Sequence, residues 1–480
     1  MRFLFCLPTT ALSGGVKVLF ELANRLLDAG ELVDIFSFAG APKWFPLKAR
    51  LIDAKDFEAI NYANYDYVLV SNAFMLPLVL PRVTTTRCIL FAQDYECFHH
   101  GTGKAYSDFM AACPTFDDIY RLPVPIIAIS RPVQQLIREH AGRDSFYLPM
   151  AINQTIFSPR PRKPETVLKR ICFVGNYLMP YKGMQDGLRA LTTLATEMPV
   201  QLVIVTQERR SRTVLRPEGA RLPFPVELHF CPTEEQMPDI LASCDVYCCT
   251  SWYEGLGLPG LEAFRCGVPV VSTRTYGVLE YGVDDVNLLL AEPNDPHDLY
   301  LQLRRVLLDD QLAERLRQAA FQTVENDYLW EASVSRFRTI IDQIDRTYTG
   351  PGMVSPSAMQ DLLARLEQEG NLTPISVFRQ FQSLAAELNA LLTTMLDDAP
   401  PSSERLTHLQ HLRDEFRLCL GNEHAEYYDA FKEKYDLCQL LLGLQADVRF
   451  GTYLQLILTR RQDRELNTAA SFSEIRYTDT

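Results

Sequence analysis

Two glutamates, Glu254 and Glu262, are the residues whose type and spacing most clearly suggest chemistry. They flank the turn Gly255–Gly260, which follows the apolar strand candidate Val246–Thr250 and opens a helix with Pro259 near its start. A helix that begins at the carboxyl end of a parallel strand offers free N–H groups and a positive dipole end to a phosphate. The pattern therefore predicts a diphosphate site. Glu262 would accept hydrogen bonds from vicinal ribose hydroxyls, and Glu254 would hold hydroxyls of a sugar.

The spacing of the glutamates alone is weak evidence, because roughly one or two such pairs occur in any chain of this length at ordinary glutamate usage. The glycine-rich turn, the proline and the preceding strand make the motif specific. Lys182 adds a cation in the loop after the strand candidate Arg170–Gly175. Taken by itself, Lys182 would be interpreted as a solvated loop residue.

The elements that must position these residues are short apolar segments alternating with helical patterns up to about residue 345. The segments are rich in Val, Ile, Leu and Phe with little polar alternation, as expected of parallel strands covered on both faces. The strand candidates are Arg2–Leu7, Val33–Phe38, Tyr67–Ser71, Cys88–Ala92, Ile126–Ile129, Phe146–Pro149, Arg170–Gly175, Gln201–Thr206, Val226–Phe230, Val246–Thr250, Pro269–Ser272 and Asn287–Ala291.

A proline-rich, basic stretch at 158–165 predicts a linker between two such strand series. We therefore expect one α/β domain over 1–157, a second over 166–330, and a helix over 331–349. Strand signals stop after that, and residues 356–480 predict an all-α extension. Its helix candidates are Asp361–Glu369, Ile375–Leu396, Glu404–Cys419, Glu423–Leu442 and Thr452–Arg464.

Composition excludes several classes of protein. The 480 residues are 47% hydrophobic and 22% charged, and the net charge of -13 argues against nonspecific nucleic-acid binding. No apolar run approaches the length of a membrane span, although a local basic patch would still allow peripheral membrane association. Twelve cysteines are scattered, several of them within apolar runs, which is typical of reduced cytoplasmic thiols. Their spacing does not predict a metal site.

The block beginning at Glu254 reads E-G-L-G-L-P-G-L-E-A-F-R-C-G-V-P-V-V and resembles the Glu-x7-Glu signature of retaining glycosyltransferase family 4. The stretch Phe173–Gly183 resembles the strand, loop and Lys-Gly block of the same family. The resemblance covers roughly 1–345. It implies the GT-B fold, in which two Rossmann-like domains face each other across a cleft. Residues 1–157 would be the acceptor side, 166–330 the donor side, and 331–349 a helix that crosses back.

The resemblance also implies roles for individual residues. The first glutamate of the signature touches the donor sugar, the second touches the ribose, and the lysine binds the donor phosphates. A Gly-Gly pair after the first strand approaches the donor from across the cleft. The donor-binding residues expected on this basis are Gly14, Gly15, Lys182, Glu254, Gly255, Leu256, Gly257, Leu258 and Glu262.

The chain departs from the family pattern at two places. Asn176 stands where an arginine often completes the phosphate clamp, and Arg209 or Arg210 are candidates to replace it. Near the end of the fourth strand, where many relatives have a histidine, this chain has Gln93 and Asp94. We expect Asp94 to join Lys182 and Glu254 as a catalytic residue. The neighbouring Glu96, His99 and His100 are further candidates for contacts with sugar or acceptor hydroxyls.

The expected activity is metal-independent, retaining transfer of a sugar from a nucleotide-diphosphate sugar, the only co-substrate, to a glycan, lipid-linked or protein acceptor. Bacterial polysaccharide or glycoconjugate synthesis is the expected setting. Because no enzyme nucleophile stands out, the acceptor would attack on the leaving-group face. Two alternatives remain open. One is a nucleotide-sugar epimerase on the same fold. The other is a non-catalytic adaptor that binds a partner through the helical extension, which could also form a homo-oligomer.

Overall fold

The computed structural model divides the chain into two compact units, Met1–Leu372 and Thr373–Thr480, each described by itself below. The residues it describes are 1–38, 40–42, 44–52, 57, 59–83, 86–95, 114–161, 167–176, 179–207, 222–347, 356–368, 383–384, 387–388, 390–392, 394–395, 402–420 and 434–442. The site candidates Glu96, His99, His100, Arg209 and Arg210 and the helix candidate Thr452–Arg464 lie outside the described residues. The candidates Ile375–Leu396 and Glu423–Leu442 are described only in part.

The first unit contains two parallel sheets. The first sheet has the strand order β3-β2-β1-β4-β5-β6-β7, with every described pair parallel. The central strands are buried along almost their whole length, in keeping with their continuous apolar sequence. The strands are β1 Arg2–Leu7, β2 Leu32–Ser37, β3 Arg50–Ile52, β4 Tyr67–Val70, β5 Arg87–Ala92, β6 Ile126–Ala128 and β7 Phe146–Tyr147.

The second sheet repeats the same topology, with the order β10-β9-β8-β11-β12-β13 and parallel pairing throughout. Chain order reverses between β1 and β4 in the first sheet and between β8 and β11 in the second. Ligands bind at such switch points, at the carboxyl ends of the strands. The strands are β8 Lys169–Val174, β9 Val200–Thr206, β10 Val226–Phe230, β11 Val246–Cys249, β12 Val270–Thr273 and β13 Leu289–Ala291.

Helices connect the strands and cover the sheets. The expected fold, two parallel sheets followed by a helical region, is confirmed, but the short edge strand β3 was not predicted. The helices are α1 Gly14–Asp28, α2 Leu76–Val79, α3 Pro114–Tyr120, α4 Arg131–Leu136, α5 Met184–Leu194, α6 Met237–Ala242, α7 Leu258–Arg265, α8 Pro296–Leu308, α9 Asp310–Asp327, α10 Trp330–Thr347, α11 Pro356–Gln368 and α12 Ser403–Leu420.

Helix α10 follows the second sheet in sequence yet packs on the first. Phe337 lies against Phe3 of β1, with ring centroids 5.7 Å apart. The Tyr67 hydroxyl donates to Asp345 at 2.8 Å. The chain therefore passes between the two sheet domains twice, once after β7 and once before α10.

The two passages lie side by side. Ile152 and Leu329 form a parallel bridge, and the Ile152 N–H donates to the carbonyl of Tyr328 at 3.3 Å. Tyr328 also donates its hydroxyl to the carbonyl of Glu280 at 3.0 Å. The connection between the domains is thus a short two-stranded segment anchored to the second domain.

Helix α11, which the sequence placed in the helical extension, belongs to the first unit. It packs on α2 and α3, and its residues Met359, Leu362 and Leu366 are buried. In the second unit, α12 buries Leu409 and Leu412. None of the helices in the described part of the chain has the length and apolar character that a membrane span requires.

Candidate active site

Lys182 lies in a one-turn 3-10 helix, Pro180–Lys182, that follows β8. Gly183 comes next with φ 61° and caps α5, a left-handed conformation that glycine adopts without strain. A Cβ on Gly183 would lie 1.9 Å from the carbonyl oxygen of Thr250 at the end of β11. Thr250 in turn donates its hydroxyl to the carbonyl of Lys182 at 2.6 Å. The Lys-Gly pair is therefore fixed against the switch point between β8 and β11.

Glu254 meets Lys182 at this point. The Lys182 ammonium donates to Oε1 of Glu254 at 2.8 Å, and the Ser251 hydroxyl donates to the same oxygen at 2.6 Å. Burial disfavours the charged ammonium, but attraction to the Glu254 carboxylate outweighs it and raises the pKa of Lys182 above its usual value. Both side chains keep about a fifth of their surface exposed, at 21% and 19%. They form a charged pair that a polar ligand can reach.

The glycine-rich turn after Glu254 leads into α7. Gly257 has φ 79° and caps the helix, while Leu256 and Leu258 are buried. Gly277 closes over the turn, since its N–H donates to the carbonyl of Glu254 at 2.7 Å. A Cβ on Gly277 would lie 2.4 Å from the amide nitrogen of Leu256. The leucines thus anchor the turn, and Gly277 holds it in place.

Glu262 points from α7 toward the first domain and is only 5% exposed. Lys17 of α1 donates its ammonium to Oε1 of Glu262 at 2.7 Å and also pairs with Glu234 at 2.9 Å. Burial raises the pKa of the Glu262 carboxyl, and Lys17 partly offsets this effect. Burial disfavours the Lys17 charge as well, but the two carboxylates raise the pKa of Lys17.

Sequence reasoning missed Lys17 as a residue of the site. Only the glycines Gly14 and Gly15 of this turn were expected to face the donor. The signal was present, because Lys17 lies in the first turn of a helix whose N-terminus was expected to face a diphosphate. A cation at that place is a candidate partner for an acidic or phosphate group that faces the start of the helix.

The Gly14-Gly15 pair lies at the start of α1 and close to the second domain. A Cβ on Gly14 would be 4.0 Å from Cβ of Leu258. Gly15 accepts a hydrogen bond from the Gln93 side chain at 3.0 Å, and a Cβ on Gly15 would lie 2.0 Å from the same side chain. A Cβ at Gly15 would therefore displace the Gln93 side chain, whereas a Cβ at Gly14 would make only an ordinary contact with Leu258.

Asp94 follows β5 and faces the turn after Glu254. A Cβ on Gly255 would lie 2.1 Å from the carbonyl oxygen of Gln93 and 2.9 Å from Cβ of Asp94. Beside it, the Ser130 hydroxyl donates to the carbonyl of Gly255 at 3.0 Å. Ser130 also caps α4, so the same side chain ties the start of that helix to the turn.

Three more hydrogen bonds join the domains at this edge. The N–H of Tyr95 donates to the hydroxyl of Tyr253 at 2.8 Å. The buried carboxylate of Glu280 accepts from the N–H of Arg131 at 2.7 Å and from the hydroxyl of Tyr147. Burial raises the pKa of Glu280. All the sequence-predicted donor residues are therefore brought to one edge, where the carboxyl ends of the two sheets meet.

Among the described residues, no group of three or more His, Cys, Asp or Glu side chains has the arrangement of a metal site. Asn176 lies directly after Gly175 at the end of β8, as the motif places it. No arginine pairs with Glu254 or Glu262 in the described part of the chain, where Lys182 and Lys17 are the cations that contact them. Each signature glutamate thus has its own lysine.

Two parallel sheets of this order, with their carboxyl edges facing each other, define the GT-B class of glycosyltransferase fold. A solved structure with the same architecture is HepE of Anabaena in complex with UDP-glucose, with a TM-score of 0.59, 16% identity, and coverage of 72% of this chain and 100% of that one. At this identity the similarity concerns the fold alone.

The family model "Glycosyl transferases group 1" matches residues 157–323, the donor half that contains Lys182 and both signature glutamates. The O-antigen chain mannosyltransferase B of Escherichia coli is 38% identical over 262 residues, covering 52% of this chain and 67% of the relative. The chain belongs to the group 1 glycosyl transferases. The MMP alpha-(1->4)-mannosyltransferase of Mycolicibacterium hassiacum is 28% identical over 194 residues, or 38% of this chain and 45% of the relative. That match thus spans less than half of the relative's length.

Proposed function

We propose that the protein is a retaining, metal-independent glycosyltransferase that moves a sugar from a nucleotide-diphosphate sugar to a glycan, lipid-linked or protein acceptor. The observation that carries this proposal is the contact between Lys182 and Glu254 at the switch point between β8 and β11, with Glu262 on the helix that follows β11. This is where an α/β sheet binds a nucleotide. Family membership supports glycosyl transfer over other uses of the fold.

Each residue has a role that its position allows. Glu262, about one turn into α7, is placed to accept hydrogen bonds from the ribose diol. The N-terminus of α7 faces the diphosphate, and Lys182 supplies a positive charge beside it. Glu254, in the loop before the helix, would hold hydroxyls of the transferred sugar while keeping Lys182 oriented. Lys17 balances the buried charge of Glu262 before the donor enters.

Transfer with retention then proceeds on the leaving-group face. The acceptor hydroxyl forms a bond to the anomeric carbon as the bond between that carbon and the diphosphate oxygen breaks. The acceptor proton passes to a phosphate oxygen of the departing nucleoside diphosphate. Lys182 and the α7 dipole stabilise the negative charge that develops there, which is an electrostatic and orientational mode of catalysis. Asp94, which lies beside Gly255, would orient the acceptor.

The relatives suggest where to begin the search for substrates. Two of them are named as mannosyltransferases, and one of these acts on an O-antigen chain. A mannosyl donor and a surface-polysaccharide acceptor are therefore the first pair to test, within polysaccharide or glycoconjugate synthesis.

The experiment is to incubate the full-length protein with UDP-, GDP- and dTDP-sugars, with and without acceptor glycans, and follow the products by NMR. We expect one donor to be consumed, an α-linked product from an α-linked donor, and unchanged rates in EDTA. Glu254→Gln should retain donor binding and lose turnover. A new sugar isomer without transfer would indicate an epimerase, and no binding of any donor would indicate an adaptor. An inverted product, or loss of activity in EDTA, would contradict the proposed mechanism.

A further inference from the structure

Helix α11 lies beyond the helix that returns to the first domain, yet it packs on that domain. Its residues Met359, Leu362 and Leu366 recur at helical spacing and are 3%, 5% and 0% exposed. The guanidinium of Arg365 pairs with Asp118 of α3 at 2.9 Å and with Asp361 of its own helix at 3.3 Å. An apolar stripe and an ion pair thus fix α11 against α2 and α3.

Helix α3, in turn, holds the segment that follows β5. The hydroxyl of Tyr120 donates to the carbonyl of Asp94 at 3.0 Å. The hydroxyl of Tyr95 donates to the carboxylate of Asp117. The rings of Tyr95 and Tyr120 lie 4.9 Å apart, and both side chains are fully buried. The position of the Asp94 backbone therefore depends on where α3 lies.

We propose that α11 is a positioning element of the acceptor half, acting through α3 on Asp94. Arg365 and Leu366 are its positioning residues, and they act through another helix without touching the reactants. This inference rests on the proposed function, in which Asp94 orients the acceptor. The proposal also assigns α11, the first helix of the extension, to the unit Met1–Leu372, which contains the candidate active site.

The proposal predicts that a change in α11 affects the binding of the acceptor and leaves the binding of the donor unchanged. Lys182 and Glu262, two of the residues proposed to bind the donor, belong to the second domain and have no contact with α3 among the described interactions. Loosening α11 should therefore raise the KM for the acceptor and leave the affinity for the donor unchanged. A general loss of folded protein would instead lower kcat for every substrate without changing either KM.

The test uses the full chain with Leu366→Ala as the main variant. We expect the acceptor KM to rise by about tenfold, since small misplacements of orienting groups have large kinetic effects, with donor affinity within about twofold of wild type. Leu418→Ala removes a leucine that is 68% exposed on α12, and it is the matched control. Leu366→Met, which conserves volume, should restore the acceptor KM. If Leu366→Ala does not fold, Arg365→Gln is the second variant, with a smaller expected change in the same direction.

A double variant tests whether the effect passes through Asp94. If it does, Leu366→Ala should add no further change to the acceptor KM in an Asp94→Ala background. If the two substitutions instead multiply each other's effect on the acceptor KM, the proposal is overturned. Hydrogen exchange of the peptide 114–120 gives a readout that needs no activity, and we expect faster exchange in Leu366→Ala. Unchanged exchange there would refute the inference even if transfer is observed. Faster exchange in a protein that transfers no sugar would instead count against the proposed function.

Discussion

Gly255→Ala should force the two domains apart at the point where Gly255 meets the first domain. A Cβ on Gly255 would lie 2.1 Å from the carbonyl oxygen of Gln93, which is backbone and cannot rotate away. Cβ atoms ordinarily stay about 3.4 Å from such atoms, so the edges must separate by about 3.4 − 2.1 = 1.3 Å. The methyl group therefore moves Glu254 and Asp94 apart without removing any functional group.

The size of the effect follows from that displacement. A misplacement of about 1 Å at reacting groups costs about 100-fold in rate, or about 2.7 kcal/mol. Overpacking of this kind costs about 1–3 kcal/mol of stability, so the midpoint of thermal unfolding should fall by several degrees. We expect kcat to fall by about two orders of magnitude.

The assay is steady-state transfer with saturating donor, accompanied by thermal unfolding. Gly40→Ala is the control, because a Cβ at that exposed glycine meets nothing within 4 Å. Wild-type kcat and an unchanged unfolding midpoint in Gly255→Ala would refute the close approach of the two domains at this point.

Three further changes test the charged residues. Glu262→Ala should weaken nucleoside diphosphate binding by about 100-fold or more, because two hydrogen bonds to a charged group are lost, each worth about 1.5–3 kcal/mol. Calorimetry measures this affinity, and an unchanged value would exclude the ribose role. Lys182→Ala should lower kcat by about 100-fold or more, as expected for loss of a charge that stabilises the leaving group, and a change in acceptor KM alone would contradict that assignment. Lys17→Ala should destabilise the protein by about 3 kcal/mol at neutral pH, because it leaves a buried carboxylate unpaired. Without Lys17 the already raised pKa of Glu262 rises further, so the folded state binds a proton more readily than the unfolded state. The deficit in unfolding temperature should therefore shrink as the pH is lowered from 8 to 5, and a deficit independent of pH would argue against the ion pair.

The fold could be predicted largely because its determinants are local. Strands such as β1 and β4 are apolar along almost their whole length, and their alternation with helices leaves few topologies other than parallel sheets. The donor motif was equally local, since Lys182 and Glu254 each lie in the short connection between a strand and the helix that follows it. The edge strand β3 was missed because three residues, none of them fully buried, give no periodicity.

What could not be predicted are contacts between elements distant in sequence. Lys17 and Glu262 are 245 positions apart, and no pattern near either residue indicates the other. Arg365 and Asp118 are similarly remote, at 247 positions. The amphipathic pattern of α11 indicated an apolar face, but the surface that covers it depends on tertiary packing. Pairs of side chains in different domains can be identified only once the fold is known.

The side-by-side passage of the chain at Ile152 and Leu329 limits how the two domains can move. Two connecting segments far apart would hold the domains in one orientation, and a single connecting segment would allow them to rotate in any direction. The two connecting segments here are bridged to each other at Ile152 and Leu329, so we expect any rotation of the domains to have its axis near that bridge. Rotation about such an axis displaces distant atoms most. Opening would therefore break the contacts of Gly255 and Lys17 while sparing the bridge.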